Sequence, residues 1–288
     1  MASSVLFDAP GPKTVARHRV YTIVSLVAIL ALVAYAVKRL ADAAQFEYAL
    51  WEPFITPKYL TAILQAWGDT LMMAVLSVLG AVVFGLVFGV GKLSDHRPAR
   101  WGSWLMVEFF RAVPVIMLMI FCFYAIYGDM AIARGAFWSV VTALTFYNGA
   151  VLAEVFRAGV NAVPRGQAEA AYAIGMRKTQ VMNIVLLPQA VKIMIPAIIS
   201  QCVVAVKDTS LILIVFGVGL TSIAKQLPLS FQNIVPTTLV VTACYVVTNL
   251  ALMLLANFVQ RRFVGEKKVL QVSMVADVGA HDESASAV

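Results

Sequence analysis

The sequence predicts an all-α integral membrane protein with about six transmembrane helices, and three observations support this prediction. Of 288 residues, 61% are hydrophobic, only 13% are charged and the mean hydropathy is +0.86. A soluble domain would need more polar surface. Six apolar runs are long enough to cross a bilayer. The net charge is +7, but the basic residues stand at the ends of these runs, so no nucleic-acid partner is expected.

The predicted spans are the six apolar runs at residues 20–37, 64–91, 104–127, 136–156, 184–206 and 234–259. A cleaved signal peptide is the alternative for the first run, since Ala41-Asp42-Ala43 resembles a cleavage site. A retained helix is favoured because the apolar core is long and Lys38-Arg39 precedes that site. In the second span, Gly85 and Gly89 predict close approach of a neighbouring helix.

The connections between spans differ in character. Residues 38–58 are interpreted as an external connection, with an interfacial piece at 46–54 where Trp51 suits the headgroup layer. Residues 207–232 mix apolar and polar groups too irregularly for a clean helix, which suggests a re-entrant hairpin lining an enclosed cavity. The polar segment 260–288 is expected to be disordered.

Neither the cysteines nor the histidines predict a metal site. The three cysteines lie inside apolar runs without metal-binding spacing, and the three histidines are far apart in sequence. Buried small hydrophobic residues are the favoured interpretation of the cysteines.

The distribution of lysine and arginine predicts the orientation. With both termini inside, the inner segments carry more than twice as many Lys and Arg residues as the outer ones. The positive-inside rule therefore places both termini in the cytoplasm, together with the polar segment between the fourth and fifth spans.

That polar interruption, residues 157–188, is the most informative stretch of the chain. Asn161 is a candidate cap, Pro164 suits a first helical turn and Gly175 suits a left-handed stop. The helix between them would have a bare surface because of its alanines, Ala168, Ala170, Ala171 and Ala173. Arg165 and Glu169 could pair four residues apart. The helix is either an ordinary loop helix or an element that docks on a partner.

Three motifs in order resemble those of ABC-importer permeases, in the branch that takes up polar amino acids. Gln167-Ala-Glu-Ala-Ala-Tyr-Ala-Ile-Gly175, with Leu187-Pro-Gln189 after it, resembles the EAA loop of these subunits. Glu108-Phe-Phe-Arg-Ala-Val-Pro114 lies upstream, and Lys207-Asp-Thr-Ser-Leu211 lies downstream. The resemblance covers roughly residues 67–259, and the whole chain faintly resembles actinobacterial glutamate permeases.

The resemblance implies a type I ABC importer permease fold, in which the EAA loop forms a cytoplasmic coupling helix seated in a groove of an ATPase. The coupling residues it implies are Arg165, Gly166, Gln167, Glu169, Ala170, Ala171, Ala173 and Gly175. It implies a bacterial plasma-membrane location and three protein partners: a cytoplasmic ATPase dimer, a second permease chain and an external solute-binding protein. The chain itself would bind no cofactor, and ATP and Mg²⁺ would be held by the ATPase. In agreement, Gly89-Val-Gly-Lys92 fails as a phosphate loop, because Leu93 stands where Ser or Thr is required.

The expected domain organisation follows from this resemblance. Residues 1–19 form a cytoplasmic tail, and residues 20–58 form an added first helix with its external connection. Residues 59–259 form the permease domain, with a coupling loop at 157–180, and residues 260–288 form the C-terminal tail.

Polar groups within the spans are candidates for the substrate path, because each is costly to place in a membrane. The candidates are Arg111, Pro114, Asn148, Glu154, Lys207, Asp208, Thr209 and Ser210. For Arg111 and Glu154 the alternative is structural, since Glu108–Arg111 and Glu154–Arg157 are each spaced for a local ion pair. For 207–210, which could meet a zwitterion, the alternative is a helix end held by a Lys207–Asp208 contact.

The leading hypothesis is therefore a permease subunit of an ATP-driven importer for polar amino acids, glutamate or a related one, without enzymatic activity of its own. The alternative is an ion- or proton-coupled secondary amino-acid transporter, which predicts internal repeats and charges near mid-bilayer. A structural membrane protein without transport would lack an ATPase partner.

Overall fold

The computed structural model describes residues 12–214 and 216–263, and its regular elements there are all helices. We number the α-helices in chain order: α1 Pro12–Asp42, α2 Tyr48–Trp51, α3 Pro57–Lys92, α4 Arg97–Ala112, α5 Val115–Ala125, α6 Ile132–Asn161, α7 Arg165–Ala173, α8 Lys178–Gln180, α9 Leu187–Asp208, α10 Leu220–Phe231 and α11 Ile234–Phe263. Short 3₁₀ helices cover Glu52–Phe54 and Thr209–Ile214, and a π-helix covers Val181–Leu186. The tail predicted at 260–288 lies outside the described residues from 264 onward, and α11 includes its beginning.

Five helical segments of the described chain are long and apolar enough to cross a membrane, or six if one bent pair counts as a span. This agrees with the prediction of about six spans. The central one is α6, whose most apolar stretch is 61% buried inside the protein. It packs along α3, where Cβ atoms added at Gly85 and Gly89 would lie 2.7 Å from Leu152 Cβ and 2.8 Å from the Ala153 carbonyl oxygen. The predicted close helix approach is confirmed.

The third predicted span, residues 104–127, is formed by two helices with a sharp bend between them, which the sequence did not indicate. The chain bends by 101° between α4 and α5. Pro114, which follows the bend, has no N–H to donate to a preceding carbonyl, and a proline pushes the residue before it out of the α region. Val113 accordingly has an extended conformation, with φ −82° and ψ 128°.

The first helix is set apart from the bundle. It starts at Pro12, within the predicted tail, and none of its apolar window is buried. The connection after it is fastened to the bundle, because the Asn233 side chain donates a 2.9 Å hydrogen bond to the Leu50 carbonyl. The first helix therefore makes little contact with the rest of the described chain, whereas the connection after it is attached to the bundle.

Residues 207–232 were expected to be too irregular to form a helix. The second half of this segment nevertheless forms the regular helix α10, so the expectation is wrong there. Leu220, Ile223 and Leu227 of α10 are buried against α3 and α11. The Leu220 N–H donates a 2.8 Å hydrogen bond to Thr70 Oγ1 on α3, which anchors the start of α10.

Candidate functional site

The short helix predicted in the polar interruption is α7. Pro164 precedes the helix. Just after its last residue, the Gly175 N–H donates a 2.9 Å hydrogen bond to the Tyr172 carbonyl. Gly175 has φ +82°, which confirms the predicted left-handed stop, since glycine adopts this conformation without a steric penalty. The candidate cap Asn161 was misplaced, because α6 continues through it and its side chain caps no helix.

The two faces of α7 differ in exposure. Ala171 is buried, 5% exposed, on the side that packs against the π-helix, whereas Ala170 and Ala173 are exposed. An added Cβ at Gly166 would meet no atom within 4 Å. The outer face therefore presents a nearly bare backbone on which another chain could pack closely. In the described chain Arg165 and Glu169 form no ion pair, so the predicted pairing is wrong and both charges are available to a partner.

Two contacts fasten the α7 region to the spans. Gln189 Nε2 at the start of α9 donates to the Val185 carbonyl at 2.9 Å and reaches Gln167 Oε1 of α7 at 3.5 Å. Lys178 of α8 forms an ion pair with Asp95 in the turn between α3 and α4. The Lys178 ammonium, by hydrogen bonding, holds the pKa of the Asp95 carboxyl below its usual value.

A network of linked ion pairs lies at the same end of the bundle as α7. Arg111 Nη1 is 3.3 Å from Glu108 Oε1, and Arg157 Nε is 2.9 Å from Glu154 Oε2, so both predicted local pairs are confirmed. The ammonium of Lys92, at the end of α3, joins them by contacting Glu108 at 3.3 Å and also Glu154. Its side chain is only 9% exposed. Lys92 thus clamps α3, α4 and α6 together.

The role of Lys92 could not be predicted from the sequence, because its two partners are 16 and 62 residues away. In the sequence, Lys92 was considered only as part of a phosphate loop, which was rejected. Two of the substrate-path candidates, Arg111 and Glu154, thus belong to this network of ion pairs.

The candidates at 207–210 lie at the opposite end of the bundle. Thr209 Oγ1 donates to the Val206 carbonyl at 2.7 Å and lies 3.3 Å from Tyr245 Oη, a partner the sequence did not indicate. Ser210 Oγ donates to the Lys207 carbonyl at 2.7 Å. Lys207 is exposed, Asp208 is half-buried and no ion pair joins them in the described chain, so the alternative of a helix end held by a Lys207–Asp208 contact is not supported.

The two remaining path candidates differ from each other. Pro114 is exposed at the bend between α4 and α5. Asn148 is 1% exposed inside α6, and within the described chain neither its Nδ2 nor its Oδ1 has a hydrogen-bond partner. The structure therefore does not gather the eight candidates into one site.

Comparison with known proteins identifies relatives over most of the chain. The family model described as "Binding-protein-dependent transport system inner membrane component" matches residues 81–265. The glutamate transport system permease protein GluD of Corynebacterium glutamicum is 39% identical over 224 residues, which cover 76% of this chain and 81% of that protein. The glutamate/aspartate import permease protein GltK of Escherichia coli is 28% identical over 200 residues, covering 67% of this chain and 89% of that one.

Solved structures share the architecture. A chain of an amino acid ABC transporter crystallised with histidines has 27% identity and a TM-score of 0.65, covering 71% of this chain and 95% of that chain. A chain of the MetNI methionine ABC transporter, in an inward-facing conformation, has 20% identity and a TM-score of 0.62, covering 73% and 99%, a likeness of fold alone. From these matches, the chain belongs to the family of binding-protein-dependent transport system inner membrane components, the permease subunits of ABC importers, and has their type I fold.

Proposed function

We propose that the chain is the permease subunit of an ATP-driven importer for polar amino acids, with glutamate as the first substrate to test. The family match and the names of the relatives support this proposal. The observation that carries it is the bare outer face of α7, held at one end of the bundle by contacts to two spanning segments. The comparisons lend no support to a secondary transporter.

The partners in this proposal follow from the location of α7. Two ATPase subunits, which bind ATP and Mg²⁺, receive α7 in a groove on the cytoplasmic side. A second permease chain, related or identical, completes the translocation path, and an external solute-binding protein delivers the substrate. Both termini are then cytoplasmic, in agreement with the excess of basic residues at this end.

The contacts of α7 suggest how force would pass into the membrane. Closure of the ATPase dimer displaces α7, and three connections carry that displacement. Gln167 of α7 is hydrogen-bonded to Gln189 of α9. Lys178, which follows α7, is paired with Asp95 in the turn between α3 and α4. The third connection is covalent, because α7 follows α6 in the chain. Because Lys92 clamps α3, α4 and α6, these helices move together, and the path switches between inward- and outward-open states.

The polar groups at the far end of α9 are proposed to meet the substrate. Lys207 is exposed without an ion-pair partner in the described chain, so its ammonium is available to a substrate carboxylate. Asp208, also unpaired there, could accept from the substrate ammonium group. Thr209 and Ser210 position these residues through their backbone hydrogen bonds.

The test is ATP-dependent uptake by the complete importer in proteoliposomes. Glu169→Lys reverses a charge on the exposed side of α7, whereas Asp42→Lys makes the same reversal at the end of α1, away from the bundle. We expect Glu169→Lys to abolish uptake while the protein still inserts, and Asp42→Lys to retain it. Normal uptake by Glu169→Lys, or uptake driven by a proton gradient without ATP, would reject the proposal.

A further inference from the structure

We propose that a pocket at the start of α4 binds the headgroup of an anionic phospholipid. This α4 pocket has a volume of about 370 Å³ and is lined by Lys92, Arg100, Trp101 and Trp104. Two cations and two tryptophans combine the groups that recognise a phosphate with those that favour the headgroup layer. The proposal goes beyond amino-acid transport, since it requires only that the chain lies in a membrane.

Arg100 is the main cation of the α4 pocket, although the Asp95 carboxylate lies near enough to interact with it electrostatically. Its Nη1 donates one long hydrogen bond, 3.5 Å, to the Ser94 carbonyl, and it forms no ion pair with the residues described. Lys92 is already engaged by Glu108 and Glu154, whose charges offset its own, so direct binding of an anion depends on Arg100. Arg100 also lies in the first turn of a 16-residue helix, where the helix dipole favours an anion.

An exposed apolar track continues from the α4 pocket along the same helix. The rings of Trp101 and Trp104 lie 5.6 Å apart in an edge-to-face arrangement, and the two residues are 64% and 45% exposed. Further along the helix, Leu105 is 63% exposed and Phe109 is 54% exposed. This track has the composition expected of a surface that contacts acyl chains.

The combination favours a lipid over a free anion. Inorganic phosphate would bind Arg100 but would make no contact with the two tryptophans or the apolar track. A diacyl phospholipid satisfies both parts, with its phosphate at Arg100 and its chains along Leu105 and Phe109. Basic pockets beside membrane helices recognise anionic headgroups in this way.

The experiment is native mass spectrometry of the detergent-purified full chain with added phosphatidylglycerol or phosphatidylcholine. We expect selective retention of one phosphatidylglycerol molecule. Arg100→Gln should weaken this retention about tenfold, the usual effect of losing a hydrogen bond to a charged group. Arg97→Gln removes the same charge one turn earlier on α4, outside the pocket lining, and should leave retention nearly unchanged. Trp101→Ala should weaken retention of both lipids.

Three outcomes would overturn the proposal. Equal losses in Arg97→Gln and Arg100→Gln would indicate diffuse attraction to a basic surface. Displacement of the lipid by excess inorganic phosphate would assign the pocket to a free anion. Absence of retained phosphatidylglycerol from the wild-type chain would show that the α4 pocket does not hold this lipid.

Discussion

Replacing Lys92 by methionine should destabilise the helix bundle by about 2 kcal/mol. The full cost of leaving a buried charge unpaired is about 3–5 kcal/mol. Here each carboxylate keeps one partner, because Glu108 remains beside Arg111 and Glu154 remains beside Arg157. The Glu108 and Glu154 side chains are also 39% and 22% exposed, so water offsets part of the loss.

The assay is thermal unfolding in detergent, combined with a double-mutant cycle. If Lys92 acts through Glu154, its replacement should cost less in a Glu154→Gln background, with a coupling energy of about 1 kcal/mol or more. Lys58→Met is the matched control, because it removes an exposed lysine from the first turn of the same helix. An equal effect of Lys92→Met in both backgrounds, or an effect no larger than that of Lys58→Met, would refute the clamp.

Three further predictions concern packing, acid stability and the coupling helix. Gly89→Ala should destabilise the protein by about 2 kcal/mol through overpacking against Ala153, whereas Gly68→Ala, where an added Cβ meets nothing within 4 Å, should be neutral or stabilising in the same melts. Lys178 lowers the pKa of Asp95 from its ordinary 3.8, so their ion pair stabilises the fold fully above pH 3.8, and this stabilisation is lost as the pH falls through the lowered pKa. The difference in stability between wild type and Lys178→Met should therefore be constant near neutral pH and vanish in acid. A difference that persists in acid would contradict this prediction. Gly175→Ala should strain the end of α7 by about 1 kcal/mol, so amide exchange in α7 should accelerate about fivefold, and unchanged exchange would argue against the left-handed stop.

The sequence was sufficient for the features that depend on local pattern. Apolar runs located the spans, and Pro164 with Gly175 located α7, because helix ends follow from the backbone preferences of single residues. The Glu108–Arg111 and Glu154–Arg157 pairs followed from helical spacing alone.

Features that depend on distant contacts could not be predicted in this way. The ion pairs of Lys92 join three helices. The hydrogen bond from Leu220 to Thr70 joins residues that are 150 positions apart in the sequence. The bend at Pro114 was missed because membrane helices often tolerate proline, and only the neighbouring helices decide whether the chain kinks or turns. Whether a polar residue faces a path, as proposed for Lys207, also depends on partner chains.

The central claim is that the outer face of α7 receives force from an ATPase, and site-directed cross-linking tests it most directly. In a background with the three native cysteines replaced, Ala170→Cys places a thiol on the exposed face, and Ala171→Cys places one on the buried face. We predict that Ala170→Cys cross-links to a groove cysteine of the ATPase in the assembled importer, with a yield that changes when ATP is added, and that Ala171→Cys does not. Equal cross-linking from both positions, or none from Ala170→Cys in a complex that still transports, would contradict the account.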